Sequence, residues 1–490
     1  FRLVGSIITM PIKNLKPAKV WEYFYDICQI PHVSYDLDKI TSYLEKTFIE
    51  LGYTPIVDKA QNILVRKPAS KGCEKLPTVM LQGHSDMVGA KDPSSTHDFK
   101  KDPIKIKVVN GWMSADKTTL GADNGIAVAM ILAIFADKTL KHGPIEALIT
   151  ANEETGMDGI KEFNVKQLKS KYMINLDNEN DEEICIGCPG NIDITAELPY
   201  KRDARTRPNT TDLRIFLSGG LGGHSGQAIG EKRINAIKTI FDLLNFLNND
   251  HDIQLINIEK SGVVKNVIPF ECACNINVYK KDVAKIKKFT SWWLKTLKQE
   301  FSRETDLVIS VTPSKVKDHP ITKKDSQKII GVYGSVFNGV DTYSWKYSVP
   351  ETSGNLGLID TKKDAIWSLF MVRSSYDLAQ HRIANRIMQL FKGVGGDAQQ
   401  IAFVAGWLPK DNKLADIYET FYKKVFKKEA KQVLINGGVE PAYVLAQRPE
   451  MLGISIGPLM HDVHSKNERL SIESTQKVYE VLTKFLPTVR

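Results

Sequence analysis

Glu153 and Glu154 stand side by side in the stretch Glu146-Ala-Leu-Ile-Thr-Ala-Asn-Glu-Glu-Thr-Gly156. The apolar run Ala147 to Ala151 reads as a strand that delivers both carboxylates into a turn closed by Gly156. Side chains alternate along an extended chain, so neighbouring glutamates can take different tasks at one place. One can grip a cation while the other moves a proton, the division of labour that metal-assisted hydrolysis requires. By itself the pair would be an ordinary solvated loop. Its company changes that reading. His84 and Asp86 follow the apolar run of Leu76 to Leu81, two residues apart, a spacing that suits a ligand imidazole with a carboxylate to orient it. Asp123 lies between Gly121 and Gly125, just ahead of an apolar helix over 126–135, where its ordinary reading is an N-cap. Asp177 ends a further apolar run from Tyr172. Metal-type side chains at the ends of three strands and one strand-to-helix turn point to a single rim of a sheet, where α/β proteins place their sites.

The elements that must position these groups can be read in order. Polar and apolar residues alternate at helical spacing from Ala18 to Leu51, which predicts a pair of helices ending at Gly52. Residues 56–57 and 62–66 predict a hairpin, and 76–86 the next strand. After Gly190 the pattern switches. Residues 191–198 and 211–218 alternate strictly, the mark of antiparallel strands with one wet face. A helix over 233–247, strands over 253–258 and 272–278, and a strand–helix–strand series over 365–374, 376–391 and 399–405 follow. Together they predict a second, α+β domain built from two similar halves, although no sequence identity joins the halves. Near Trp407 the chain returns to the first domain with a helix over 414–426, a strand over 432–435, a helix after Pro441, a strand over 451–456 and a last helix over 473–485. The expected boundaries are 10–190 and 406–490 for the α/β domain and 191–405 for the insert.

The bulk properties remove other classes. At 490 residues, two domains are expected, and 42% hydrophobic with 25% charged residues is a globular composition. No apolar run approaches the ~20 residues of a membrane span. The net charge of +9 resides in lysine runs such as 280–281, 285–288 and 423–428. These are not interleaved with aromatics as a strand-tracking groove would be, so a solvated surface is expected and a nucleic-acid partner is not. Six scattered cysteines suit a reducing cytosol, and the Cys185-Ile-Gly-Cys188 pair reads as structural because no second pair accompanies it. Met10 reads as the natural start, with residues 1–9 a remnant ahead of it and no signal-peptide cleavage site.

The ordered set Gly83-His-Ser-Asp-Met-Val88, Leu120-Gly-Ala-Asp-Asn-Gly125, Asn152-Glu-Glu-Thr-Gly-Met-Asp-Gly159, Leu176-Asp177, Gly222-Gly-His-Ser-Gly226, Thr352-Ser-Gly-Asn-Leu-Gly357, Arg373-Ser-Ser375 and His464-Ser465 resembles the di-zinc exopeptidases. Within them it is most similar to the aminoacyl-histidine (β-alanyl-histidine) dipeptidases. The resemblance runs from about Met10 to the C-terminus. It implies an α/β/α catalytic domain with an inserted α+β lid domain, and hydrolysis of unblocked dipeptides with Xaa-His (carnosine-like) preferred. It implies two Zn2+ ions, with Mn2+ or Co2+ as substitutes, a small peptide as substrate, a cytoplasmic setting and a homodimer formed through the lid. His84, Asp123 and Asp177 would hold one ion, and Asp123, Glu154 and His464 the other. Glu153 resembles the general base and Asp86 the residue that steers His84. His224 resembles the lid group that meets the oxyanion, Asn266 a further lid contact, and Arg373 the cation for the substrate carboxylate. Arg373 also sits on an otherwise apolar strand, where an unpaired guanidinium is costly. His464 is taken over His461 because His-Ser followed by Glu468 matches the family pattern.

This chain departs from that pattern twice. Asn436-Gly-Gly-Val-Glu440 stands where the family often has His-Ala-Gly-Leu-Glu, and Lys466 where a proline commonly follows His-Ser. Both bear on histidine selectivity and neither on the metal ligands. A related amidohydrolase of the aminoacylase or desuccinylase type is the alternative enzyme, and a non-catalytic metal-binding scaffold the alternative of another class.

Overall fold

The structure, a computed structural model, describes residues 14–435 and 437–490. The readings placed on residues 1–9, Met10 and Asn436 lie outside the described residues. The chain divides into two compact units. One comprises residues 14–187 with Trp407–Ile435 and Val439–Arg490, and the other Cys188–Gly406 with residues 437–438.

The first unit is built on an eight-stranded sheet. Across it the strands are Ile56–Val57, Ile63–Lys67, Ile145–Thr150, Val79–His84, Tyr172–Asn175, Leu452–Ser455, Glu183–Cys185 and Lys431–Val433. The hairpin at the edge pairs antiparallel, as expected, and joins the strand at 145–150 antiparallel too. The four strands at 145–150, 79–84, 172–175 and 452–455 run parallel, so their carboxyl ends finish along one rim. Every residue of the strands at 79–84, 145–150 and 172–175 is buried, as a parallel sheet covered on both faces requires.

The helix Ala122–Ala136 is kinked at Asp123 and Asn124, so its regular part begins where the apolar pattern predicted, and all of its residues through Phe135 are buried. A helix apolar on every side belongs inside a layered domain. It presses so closely on the strand below that a Cβ added at Gly83 would lie 2.4 Å from Asn124 Oδ1 and 3.0 Å from Ala127 Cβ. The N-cap reading of Asp123 does not hold. Its carboxylate oxygens go to His84 and His464 and not to the N–H groups of the helix, whose first residue follows Gly121 at φ 72°.

A small four-stranded sheet, ordered Met460–His461, Arg469–Ser471, Trp112–Ala115 and Ile106–Val109, was not anticipated. Its signal was present in Asn110-Gly111. Both residues have positive φ, 50° and 82°, as a two-residue hairpin turn demands.

The second unit answers the expectation of two similar halves with topology. One half runs strand Thr210–Ser218, helix Ala236–Asp250, strands Gln254–Ile258 and Cys272–Tyr279, helix Val283–Glu300, strand Val308–Pro313. Its sheet order is 254–258, 272–279, 210–218, 308–313. The other runs strand Gly190–Pro199, helix Lys323–Ser335, strands Pro350–Thr361 and Ala365–Ser374, helix Asp377–Gly393, strand Asp397–Val404. Its order, 350–361, 365–374, 190–199, 397–404, repeats the first, with Gly339–Tyr343 added at one edge. Each is a β-α-β-β-α-β unit. The expected helix over 233–247 starts at Ala236, where the Asn235 side chain accepts from the Lys238 N–H. Both sheets share one core, in which Ile215, Phe241, Ile276, Tyr333, Phe370 and Phe391 are buried.

Candidate metal centre

The parallel strands set the geometry of the centre. His84 is the last residue of its strand, Glu153 and Glu154 follow the next strand within a tight turn, and Asp177 lies just beyond a third. Asp123 enters from the start of the buried helix and His464 from the loop between Met460–His461 and Arg469–Ser471. His84 Nε2 is 3.2 Å from Asp123 Oδ1 and 3.4 Å from Asp177 Oδ1. His464 Nε2 is 2.9 Å from Asp123 Oδ2 and 2.9 Å from Glu154 Oε2. Asp123 therefore faces an imidazole with each oxygen. Donor atoms of His84, Asp123 and Glu154 all lie within 4.8 Å of one another. Glu153 Oε2 stands 4.0 Å from His84 Nε2. His461 goes elsewhere, its ring stacked on Trp112 at 5.2 Å.

Asp86 organises the turn. Its carboxylate accepts from the backbone N–H of Glu153 at 3.0 Å, the N–H of Glu154 at 3.2 Å and the Ser34 hydroxyl at 2.8 Å. His84 Nδ1 is 3.3 Å from Asp86 Oδ1 and 3.0 Å from the Asp86 carbonyl. A proton on Nδ1 serves both acceptors and leaves Nε2 directed at the carboxylates, the usual tautomer control of a ligand histidine.

The electrostatics call for a cation. Four carboxylates, Asp123, Glu153, Glu154 and Asp177, converge on two imidazoles, and the cluster offsets its crowded negative charge by holding protons that a cation would displace. Burial, with the neighbouring Asp177, Glu154 and Asp123, pushes Glu153 up to about 8. Burial likewise pushes Asp177 up to about 8. His464 is driven the other way, up to about 11, by its bonds to Asp123 and Glu154. Burial pulls His84 down, but Asp177, Asp123 and Asp86 outweigh it and hold the ring well above its ordinary value. Glu154 Oε1 is buried with no hydrogen-bond partner among the described residues. An orphaned carboxylate oxygen among crowded carboxylates, in a set of oxygen and imidazole donors without thiolate, fits a hard or borderline divalent ion.

Sequence reasoning passed over several supporting groups. Both Glu468 oxygens accept backbone N–H bonds, from Leu120, Gly121, Ala122 and Asp123 at 2.7–3.3 Å, so the first turn bearing Asp123 is held by a residue four positions after His464. Asn124 Oδ1 accepts from the His84 N–H at 3.2 Å. A cleft of about 790 Å³ opens beside Glu154, with Val33, Ser34, Met87, Phe99 and Thr155 among its walls, a volume suited to a small molecule.

In the second unit the structure brings His224, Asn266 and Arg373 into one neighbourhood. The loops of the first two are strapped together: Ser225 N–H donates to the Asn266 carbonyl at 2.8 Å and Ile268 N–H to the Gly223 carbonyl at 2.9 Å. Burial, and then the charge of Arg373, lower the His224 pKa, so its ring is neutral near pH 7. Its Nδ1 has no partner among the described residues. Arg373 sits on the strand Ala365–Ser374, opposite Asn191 on one side and Ser353 on the other.

Comparison with known proteins gives a consistent set of likenesses. The model of Peptidase family M20/M25/M40 matches residues 80–488. A cytosol non-specific dipeptidase from Escherichia coli (strain K12) is 33% identical over 481 residues, covering 98% of this chain and 99% of that protein. The crystal structure of an aminoacylhistidine dipeptidase from Vibrio alginolyticus superimposes with a TM-score of 0.92 at 30% identity, covering 98% of each chain. Aminopeptidase PepT from Bacillus cereus shares the fold at a TM-score of 0.56 and 15% identity, over 97% of this chain and 99% of that one.

Proposed function

The chain belongs to Peptidase family M20/M25/M40, and from that membership we propose that it is a two-metal dipeptidase acting on unblocked dipeptides, with Xaa-His substrates preferred. The observation that supports this reading best is Asp123, which turns one oxygen to His84 and the other to His464 with Glu153 close by. His84, Asp123 and Asp177 would hold one ion, and Asp123, Glu154 and His464 the second. Zinc suits this donor set, with manganese or cobalt as substitutes. When bound, such a pair of ions polarises the peptide carbonyl and makes water a competent nucleophile near neutral pH.

The protein groups divide the remaining work. Asp86 keeps the His84 proton on Nδ1 and fixes the turn that presents Glu153. Glu153 takes a proton from the attacking water and passes it to the nitrogen of the departing amino acid. Its buried setting keeps it basic enough for that task despite nearby positive charge. In the second unit, Arg373 suits the substrate carboxylate, His224 hydrogen bonding with the developing oxyanion, and Asn266 a supporting contact. The cytosolic relative supports a cytoplasmic setting. The exposed edge strand Val308–Pro313 supports a homodimer formed through this unit, which sedimentation would test.

The test combines metal analysis with a substrate panel on one sample. Xaa-His and other dipeptides should be cleaved, and N-acyl amino acids should not. Glu153→Ala should lower kcat by about 1,000-fold or more with both metals retained. Turnover of N-acyl amino acids alone would replace the dipeptidase reading with an amidohydrolase of the aminoacylase type.

A further inference from the structure

Beneath the metal centre lies a layer of buried polar side chains that neither binds metal nor moves a proton in the mechanism above. Gln82, Asn175 and Ser455 are register partners on three neighbouring parallel strands. Each is at most 1% exposed. They form a continuous ladder. Asn175 Nδ2 donates to Gln82 Oε1 at 2.5 Å, and Ser455 Oγ donates to Asn175 Oδ1 at 2.5 Å. Gln82 Nε2 donates to Glu440 Oε2, which also accepts from Thr150 Oγ1 at 2.7 Å.

The period of two explains what the ladder supports. Gln82 lies two residues before His84 on the same face of the sheet, and Asn175 two residues before Asp177. Asn175 Oδ1 accepts from the Asp177 N–H at 3.3 Å. Thr150 is the last residue of the strand that leads to Glu153 and Glu154. Three strand ends that carry metal-centre residues are thus tied, through Gln82, Thr150 and Asn175, to one carboxyl group. That group is wholly buried, forms no salt bridge with a described residue, and comes from outside the sheet, at the start of the helix Pro441–Gln447.

We propose that Glu440 is a positioning residue, the anchor of a hydrogen-bonded floor that fixes the spacing of His84, Asp177 and the Glu153–Glu154 turn. The inference rests on the two-metal reading of the site. Its working part is the pair of bonds accepted by Oε2, from Gln82 and Thr150.

The experiment measures zinc affinity by competition with a chromophoric chelator, and the visible absorption of the cobalt form, for the full-length wild type, Glu440→Leu and Glu440→Gln. Glutamine keeps an acceptor for both bonds and leucine keeps neither. Glu440→Leu is expected to bind zinc about 10- to 100-fold more weakly with a shifted cobalt spectrum, while Glu440→Gln stays within about threefold of wild type. A merely structural role would lower thermal stability and leave affinity and spectrum unchanged in the folded protein, and that result would overturn the proposal. So would a Glu440→Gln protein as impaired as Glu440→Leu. If Glu440→Leu does not fold, Gln82→Met cuts the same link and must show the same loss. A wild type that fails to bind two ions would instead defeat the reading of the site itself.

Discussion

Asp123 is shared by two histidines of different standing, and the difference can be measured. His464 approaches from a loop and is half exposed, whereas His84 is buried at a strand end. His464→Asn should therefore cost one ion of the pair and most of the activity. His461→Asn, which removes only a ring stacked on Trp112, should leave metal content unchanged. Elemental analysis of both variants decides the matter. Protons compete for the same atoms. Carboxylate partners raise His84 and His464 above the ordinary histidine value of about 6.5. Their ion pairs thus support the metal-free fold fully below that pH, and the support is lost as pH rises through the raised values. Metal must displace those protons, so affinity should climb from pH 6 to pH 8 and loading should release protons. Calorimetry in two buffers of different ionisation heat would show the release as a buffer-dependent enthalpy. A buffer-independent enthalpy would contradict the assignment of both rings as ligands.

At the scale of elements, the start of the helix Ala122–Ala136 matters most. A buried helix end needs partners for its free N–H groups, and here one remote carboxylate, Glu468, supplies them. Glu468→Ala would orphan several buried donors. It should lower stability by about 2 kcal/mol or more and weaken zinc binding, through the shifted Asp123. Thermal unfolding and chelator competition read the two effects separately. The contact of this helix with the strand below is equally close. Gly83→Ala should cost about 1–3 kcal/mol, because Asn124 Oδ1, which accepts from the His84 N–H, occupies the space of the new methyl.

For the whole molecule, the arrangement is one unit inserted into another. The inserted unit holds an apolar core drawn entirely from residues between Ile192 and Ala398. We therefore expect residues 188–406, expressed alone, to unfold cooperatively in urea. Residues 14–187 alone should not, because the strand Leu452–Ser455 beside Tyr172–Asn175 and the packed helices Lys413–Phe426 and Ile472–Phe485 come from the far end of the chain. A non-cooperative transition in the isolated insert would contradict the division.

How much could be read without coordinates depended on how local each signal was. Apolar runs ending in His84, Glu153–Glu154 and Asp177, and the change to strict alternation after Gly190, are patterns of near neighbours, and burial alone dictates them. They were enough for the layered α/β unit, the α+β insert and the list of candidate ligands. The small sheet has a local signature too, the Asn110-Gly111 turn. Other features have no local signature. Two similar halves were expected in the insert, but their interleaving was not, because the first strand of one half, Gly190–Pro199, is separated from its partners by the whole of the other half. Glu440 and Glu468 stand in family-like motifs, but nothing near them in sequence gives their role, and they become buried anchors only when chain segments hundreds of residues apart close around them. Residue type and spacing determined which groups could do the chemistry. Only the tertiary fold decided which carboxylates meet which imidazole, and which remote side chains hold them there, because hydrogen-bond partners at long separation are chosen by packing.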